Sequence, residues 1–193
     1  MLGLKLPTDP RWVNIVEKNI SEILTDHAYC EQKAASNTIS ILISYPEHTE
    51  LVDTLLSIAK EELTHFEMVH QKIKDRGYQL GRERKDEYVN DLYPFIRKGY
   101  QRHIVLVDRL LFAALIEARS CERFKILSEE ISDEDLRNFY RELMISEANH
   151  YTTFIGFARK YSKGLDVDKR WKEWLDYEAL IVANYGKKET MHG

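Results

Sequence analysis

The sequence predicts an all-α fold, a four-helix bundle with one long crossover connection and extra flanking helices. Three features carry that expectation. Only 8 Gly and 4 Pro occur among 193 residues, against abundant Leu, Ile, Ala, Glu and Lys, so turns are few and helices long. Apolar residues recur at alternating steps of three and four along four extended stretches, the period of a helix that buries one face. Two short links and one long polar connector divide those stretches into two pairs, the connectivity of a bundle with a single crossover. The 44% hydrophobic content suffices for one sizeable core, so residues 1–193 read as one domain.

Thr8-Asp9-Pro10 opens the first helix, with a capping side chain ahead of a proline at the first helical position. Its periodicity runs to about Tyr45, with the Thr25 hydroxyl a candidate cap for a break on the way, and Pro46 punctuates it. The second helix covers about 47–75 and stops at Arg76-Gly77, where glycine suits a left-handed cap. Residues 78–101 form the polar connector, broken by Gly81, Pro94 and Gly99, although EYVNDLYPFIRKG keeps a short helical pattern. The third helix spans about 103–130, and Ser132 followed by Asp135 resembles a capping box opening a fourth, which runs to about Tyr161 before Gly164. Residues 168–185 place Trp171, Trp174, Leu175, Ile181 and Val182 on one side and read as an amphipathic helix packed on the outside. The tail KKETMHG is expected to be mobile.

No run of about 18 apolar residues occurs, and MLGLKLPTDPRW lacks the apolar stretch of a signal peptide. The expected location is the cytoplasm, without membrane contact. Cys30 and Cys121 sit in helical patterns among apolar neighbours, which suits buried, reduced thiols better than a disulfide framework or metal ligands. The formal net charge of −4, taken alone, argues against a polyanionic partner.

The segment EELTHFEMVH, residues 61–70, holds two copies of a glutamate followed three residues later by a histidine. Helical stepping separates them. The seam Leu51, Leu55, Ile58, Glu62, His65, Val69 is apolar except for the pair itself, whereas Leu56, Lys60, Leu63, Glu67, His70, Lys74 carries lysines on both sides of its pair. Glu67 and His70 therefore belong to a solvated face. The fourth helix repeats the first pattern: Tyr140, Leu143, Glu147, His150, Phe154, Phe157 sets a second Glu-x-x-His pair in an apolar and aromatic seam. A carboxylate in a core must be neutralised, paired or bound to a cation.

Each remaining long helix offers one glutamate in a matching place. Glu31 lies 31 residues before Glu62, and Glu117 lies 30 residues before Glu147, so the two halves share one ligand spacing. Glu117 falls in the seam Leu106, Leu110, Ala113, Glu117, Ser120, Phe124, while its competitor Glu122 falls with Lys125 and Glu129 on a polar stripe. Four carboxylates and two imidazoles from four helices make a site for two hard or borderline divalent ions with open positions for small ligands. Zinc more often recruits cysteine or extra histidine. The donor set favours iron, with manganese as the alternative.

Around these six residues, His27 lies one turn before Glu31 and is either an outer partner of it or a hydrogen-bonded core histidine. Tyr29, Tyr140 and Tyr151 neighbour the candidate ligands as packing residues with satisfied hydroxyls. Arg119 and Arg123 are candidates to pair with carboxylates around the site.

This arrangement resembles the ferritin-like di-iron carboxylate proteins. More specifically, LTDHAYCEQKAAS, EELTHFEMVH, LLFAALIEARSCERF, ELMISEANHYTTFIGFARKY and DKRWKEWLDYEA resemble the bacterial MiaE family of tRNA hydroxylases over nearly the whole chain. The resemblance implies iron- and O2-dependent hydroxylation of the prenyl group of 2-methylthio-N6-isopentenyladenosine in tRNA, next to the anticodon. It carries the family's ligand pattern onto Glu31, Glu62, His65, Glu117, Glu147 and His150 without departure, and implies two Fe ions as cofactor. Two electrons per turnover must come from an external reductase, because no flavin, nicotinamide or iron–sulfur motif occurs.

If the four glutamates neutralise two divalent ions, the formal charge approaches zero and the surface can be locally basic. Candidate tRNA contacts are Arg82, Arg84 and Lys85, then Arg97, Lys98 and Arg102 in the connector, and Arg159, Lys160 and Lys163 after the fourth helix. The rival reading is a ferritin- or rubrerythrin-like ferroxidase or peroxide-scavenging protein, which uses a similar ligand set. The four-cysteine segment usual in rubrerythrins is not found in the sequence. A third reading is a helical binding module with a structural metal site. Oligomeric state is not legible at this level.

Overall fold

The computed structural model describes residues 2–183 and 191. In order, the chain forms a 3-10 turn at Pro10–Trp12 and helices α1 (Val13–Lys18), α2 (Ile20–Ser44), α3 (Thr49–Asp75) and α4 (Glu87–Leu92). A second 3-10 turn, Tyr93–Phe95, precedes α5 (Arg102–Glu130), α6 (Glu134–Lys160) and α7 (Val167–Ala183). No strand occurs among the described residues, as the scarcity of Gly and Pro and the helical period require. No helix among them is long and apolar enough to cross a membrane.

The helices group into two compact units. Residues 18–85, with Met191, form a hairpin unit in which α2 packs on α3. Its link is short because Tyr45 closes α2 with N–H donations to Ile41 and Leu42 carbonyls and stacks on His48, ring centroids 6.5 Å apart. At the far end of α3, Gly77 takes φ +71°, and the Gly77 and Tyr78 N–H groups donate to the Lys74 and Ile73 carbonyls at 2.9 and 3.0 Å. These bonds satisfy carbonyls the helix leaves open. The chain then runs back along α2, where the Gly81 N–H donates to Thr25 Oγ1 at 3.3 Å and the Gly81 carbonyl accepts from the Tyr29 hydroxyl at 3.0 Å.

Thr25 is accordingly not a helix break. It is buried inside α2, and the interruption falls at Asn19, whose φ and ψ of −138° and 40° are non-helical and whose carbonyl accepts from Glu22 and Ile23. Thr25 spends its hydroxyl on the incoming connector instead of on a cap.

The larger unit holds residues 2–17 and 86–183. Its centre is the α5–α6 pair, with α7 packed on α4 and α5. The first turn is capped as expected, Asp9 accepting from the Arg11 N–H at 2.9 Å. The α6 cap is Asp133 rather than Ser132: its carboxylate accepts from the Leu136 N–H at 3.0 Å, while the Ser132 N–H donates to Glu17 Oε1 at 2.8 Å. Those Ser132 hydrogen bonds hold the Glu17 carboxyl below its ordinary range. Trp174 and Leu175 of α7 are buried as its amphipathic pattern requires, and Phe95 meets Trp174 edge to face at 4.8 Å. Residues 184–185 of the expected helix, and 187–190 and 192–193 of the tail expected to be mobile, lie outside the described residues. Met191 is buried, and its N–H donates to Asp26 Oδ2 at 2.7 Å.

Candidate metal centre

Every position of the seam Leu51, Leu55, Ile58, Glu62, His65, Val69 is buried on α3, while Lys60, Leu63 and Glu67 are exposed. Helical stepping therefore separated the buried Glu-x-x-His copy from the one on the solvated face. Opposite it on α2, Glu31 is buried as well, and Glu31, Glu62 and His65 each present a ligand atom within 4.8 Å of the others. His65 Nδ1 lies 3.5 Å from Glu31 Oε2 and 3.4 Å from Glu62 Oε2. His27, fully buried one turn before Glu31, places Nε2 2.7 Å from Glu31 Oε1. Burial alone would raise the Glu31 carboxyl, but the hydrogen bonds of His27 and then His65 outweigh it and hold the group below its ordinary range. His27 is thus a hydrogen-bonded core histidine whose partner is Glu31.

The larger unit repeats the arrangement. Tyr140, Leu143, Glu147, His150, Phe154 and Phe157 are all buried on α6, and Glu117 is buried on α5. Glu117, Glu147 and His150 again present ligand atoms within 4.8 Å of one another. Each unit so offers a buried triad of two glutamates and one histidine from two adjacent helices.

Carboxylate oxygens and imidazole nitrogens are donors for iron or manganese, and each unit's triad offers them with three donor atoms in reach of one ion. The donor set fits a pair of such ions. The nearby thiol does not compete: Cys121 is buried, its Sγ donates to the Met144 carbonyl at 3.5 Å, and burial, then the charges of Glu147 and Glu122, push it up to about 11. A thiol that stays protonated at neutral pH is a poor ligand. Cys30 is likewise buried and forms no disulfide among the described residues.

Two expectations about α5 are corrected. Glu122 is not on a solvated stripe; it is buried, accepting from the Thr8 N–H and hydroxyl at 2.7 Å each and from Arg119 at 3.0 Å. Arg119, fully buried, pairs with Glu122 and Glu178 and donates to the Leu6 carbonyl at 3.0 Å, rather than serving the candidate ligands. Tyr88 donates to Glu178 at 3.2 Å, and burial together with the Glu178 charge lifts its hydroxyl well above the ordinary tyrosine range. Arg123 donates to the Thr8 hydroxyl at 3.3 Å and lies 4.6 Å from the Trp12 ring centroid. Glu178 was missed, yet its seam Trp174, Glu178, Ile181 shows the same signal that found Glu62.

A second buried carboxylate, Asp108 on α5, was also missed. Arg97 donates to it through its backbone N–H at 2.9 Å and its guanidinium at 2.9 and 2.8 Å, and Arg170 donates at 2.8 and 2.9 Å. Burial would raise this carboxyl, but the Arg97 and Arg170 hydrogen bonds depress it below its ordinary range.

The nine candidate tRNA cations fall in three places. Arg82 and Lys85 are exposed in the hairpin unit, and Arg84 donates to the Glu22 carbonyl at 3.4 Å with its side chain 3.6 Å from the Glu22 carboxylate. In the larger unit Arg97 is committed to Asp108, whereas Lys98 and Arg102 are exposed. Arg159, Lys160 and Lys163 are exposed beyond the middle of α6; Arg159 pairs with Asp168 at 2.8 Å and Lys160 lies 6.0 Å from the Tyr161 ring centroid.

Two long helical hairpins joined by a crossover, each with a buried Glu and Glu-x-x-His set, define a ferritin-like carboxylate protein. A solved structure described as protein 43 with aldehyde deformylating oxygenase activity, from Synechococcus, superposes with a TM-score of 0.91 and 34% identity, covering 98% of this chain and 95% of that one. The sequence profile of the tRNA-(MS[2]IO[6]A)-hydroxylase (MiaE) family matches residues 2–193, and the chain belongs to that family. The tRNA 2-(methylsulfanyl)-N(6)-isopentenyladenosine(37) hydroxylase of Pseudomonas putida is 37% identical over 85% of this chain and 78% of its own length. The protein of the same name from Salmonella typhimurium is 26% identical over 98% of this chain and 87% of its own.

Proposed function

We propose that this chain is an oxidoreductase that hydroxylates the isopentenyl group of 2-methylthio-N6-isopentenyladenosine in tRNA, using two iron ions and O2. The observation that carries the reading is the duplicated buried triad in a chain of the MiaE family. Glu31, Glu62 and His65 from the hairpin unit and Glu117, Glu147 and His150 from the larger unit would hold the two irons of one centre, so that residues 1–193 act as a single domain.

When bound, the iron pair supplies the two-electron activation of O2 that insertion of oxygen into an unactivated C–H bond demands and that no acid, base or nucleophilic side chain provides. The overall change balances as R–H + O2 + 2 e⁻ + 2 H⁺ → R–OH + H2O, the electrons coming from an external reductase. The protein's share is placement and exclusion. His27 fixes one oxygen of Glu31 by its 2.7 Å contact and so orients the other toward the His65 side. Buried Tyr140, Leu143, Phe154 and Phe157 line the α6 seam around Glu147 and His150, and their apolar bulk keeps water from a reactive site. A tRNA substrate supports a cytoplasmic location.

The test is to incubate iron-loaded protein, reductant and O2 with tRNA carrying the prenylated base and to analyse the nucleosides by mass spectrometry. Gain of one oxygen on that nucleoside is expected; an unchanged nucleoside with iron bound and O2 consumed would refute the reading. The 34% identity to the Synechococcus protein over 95% of that chain favours one second reading, oxygen chemistry on an aldehyde. The same incubation with an aldehyde in place of tRNA separates the two. Iron oxidation without either organic product would instead mark a ferroxidase.

A further inference from the structure

Tyr93 and Tyr100 are 53% and 59% exposed. Each is matched with a cation: Lys98 Nζ lies 5.6 Å from the Tyr93 ring centroid and Arg97 Cζ 5.8 Å from that of Tyr100. The segment that carries them, YPFIRKGYQR at residues 93–102, holds three cations and no acidic residue in a chain whose net charge is −4. Lys98 and Arg102 are exposed there, and Gly99 turns the chain between Lys98 and Tyr100 with φ +74°.

The segment is also held firmly. Arg97 is clamped on buried Asp108 by its backbone N–H and its guanidinium. Phe95 stacks on Tyr177 at 4.3 Å with the rings 9° from parallel, and Arg170 Cζ lies 4.2 Å from the Phe95 centroid. Tyr93 meets Phe112 edge to face at 6.1 Å. Asp108 lies on α5 nine residues before Glu117, about 13 Å along the helix axis. Rings presented on a backbone already ordered cost little entropy on binding.

Exposed aromatic faces interleaved with cations are what unpaired nucleotides require, a π surface for each base and positive charge for its phosphate. A protein partner would be expected to meet a broader apolar patch with fewer charges at its centre. We infer that residues 93–102 grip the single-stranded loop of the RNA substrate, Tyr93 and Tyr100 stacking on unpaired bases and Lys98 and Arg102 meeting phosphates. Arg97 is the anchor of this surface and not a phosphate partner. The inference rests on the proposed tRNA activity and adds the residues that recognise the loop.

The test uses the full iron-loaded chain and fluorescence anisotropy with a stem-loop RNA carrying the prenylated adenosine in its loop, compared with a fully paired duplex. Tyr100→Ala and Tyr93→Ala are each expected to weaken stem-loop binding by about tenfold and duplex binding by less than about twofold, with Tyr→Phe at either position restoring the affinity. Lys98→Ala and Arg102→Ala should weaken both RNAs and lower the slope of log affinity against log salt by about one each. In turnover, Tyr100→Ala raises KM for tRNA and leaves kcat near the parent value. Unchanged stem-loop affinity in Tyr100→Ala and Lys98→Ala, in a protein whose parent hydroxylates tRNA, would overturn this surface alone. Failure of the parent to hydroxylate or bind tRNA would overturn both readings. Thermal unfolding of each variant separates loss of contact from loss of fold, and Tyr100, the more exposed ring, is the decisive position.

Discussion

Replacing Glu178 by alanine is expected to be among the most destabilising single changes outside the candidate metal centre. Glu178 and Arg119 are both fully buried. Arg119 reaches Glu178 through Nε at 3.0 Å and through Nη2, and Tyr88 donates to the same oxygen at 3.2 Å. Without Glu178 the guanidinium keeps, among the described residues, Glu122 as its carboxylate partner, and the Tyr88 hydroxyl loses this acceptor. Breaking a buried pair from one side costs about 3–5 kcal/mol. At about 2–4 °C per kcal/mol for a chain of this length, the melting temperature should fall by about 10 °C. Thermal unfolding of the metal-free protein followed by circular dichroism reads this directly. Joint replacement by Arg119→Met and Glu178→Leu removes both charges, and Glu122 stays satisfied by its two 2.7 Å bonds from Thr8. The double variant should recover at least half the loss. A Glu178→Ala variant melting within about 2 °C of the parent would refute the reasoning, because the buried charge would then have found water or another partner.

Three further outcomes are expected. Asp108 has a depressed carboxyl in the folded state, so its ion pairs contribute stability that is present above the ordinary aspartate value of about 3.9 and is lost as pH falls through the lower folded value. Asp108→Asn should therefore lower the melting temperature strongly at neutral pH, and the gap to the parent should narrow in acid; a gap independent of pH would contradict the pairing. With Cys121 buried and pushed up to about 11, alkylation at neutral pH should be slow in the folded chain and fast after unfolding, as read by intact-mass spectrometry. Glu67→Ala, at an exposed position of α3, should change stability by no more than about 0.5 kcal/mol in a denaturant titration.

How far the residues disclosed this outcome depends on how many faces a helix buries. On α3 and α6 one face is buried, so stepping by three and four separated Glu62 and His65 from Glu67 and His70 without error. On α5 burial extends around the helix: Leu106, Leu110, Ala113 and Phe124 are buried on the Glu117 side, and Asp108, Leu111, Leu115, Arg119 and Glu122 are buried as well. A test that assumes one buried face assigns the second to solvent, which is why Glu122 was misplaced and Asp108 missed. Their distant partners, Arg97 and Arg170 for Asp108 and Thr8 for Glu122, come from 11 to 114 residues away in sequence, beyond the reach of any local period. The helix break at Asn19 was illegible for a related reason, since Thr25 looks like a cap until the Gly81 N–H arrives to donate to its hydroxyl oxygen.

The most direct measurement of the central claim is the iron content of the purified chain after anaerobic loading with ferrous ion, compared with variants from each unit. Two irons per chain are expected in the parent, with Glu31→Ala and Glu147→Ala each lowering the content and abolishing hydroxylation, and Glu67→Ala retaining both irons. Full iron content in Glu31→Ala or in Glu147→Ala would contradict a centre that draws its ligands from both hairpins.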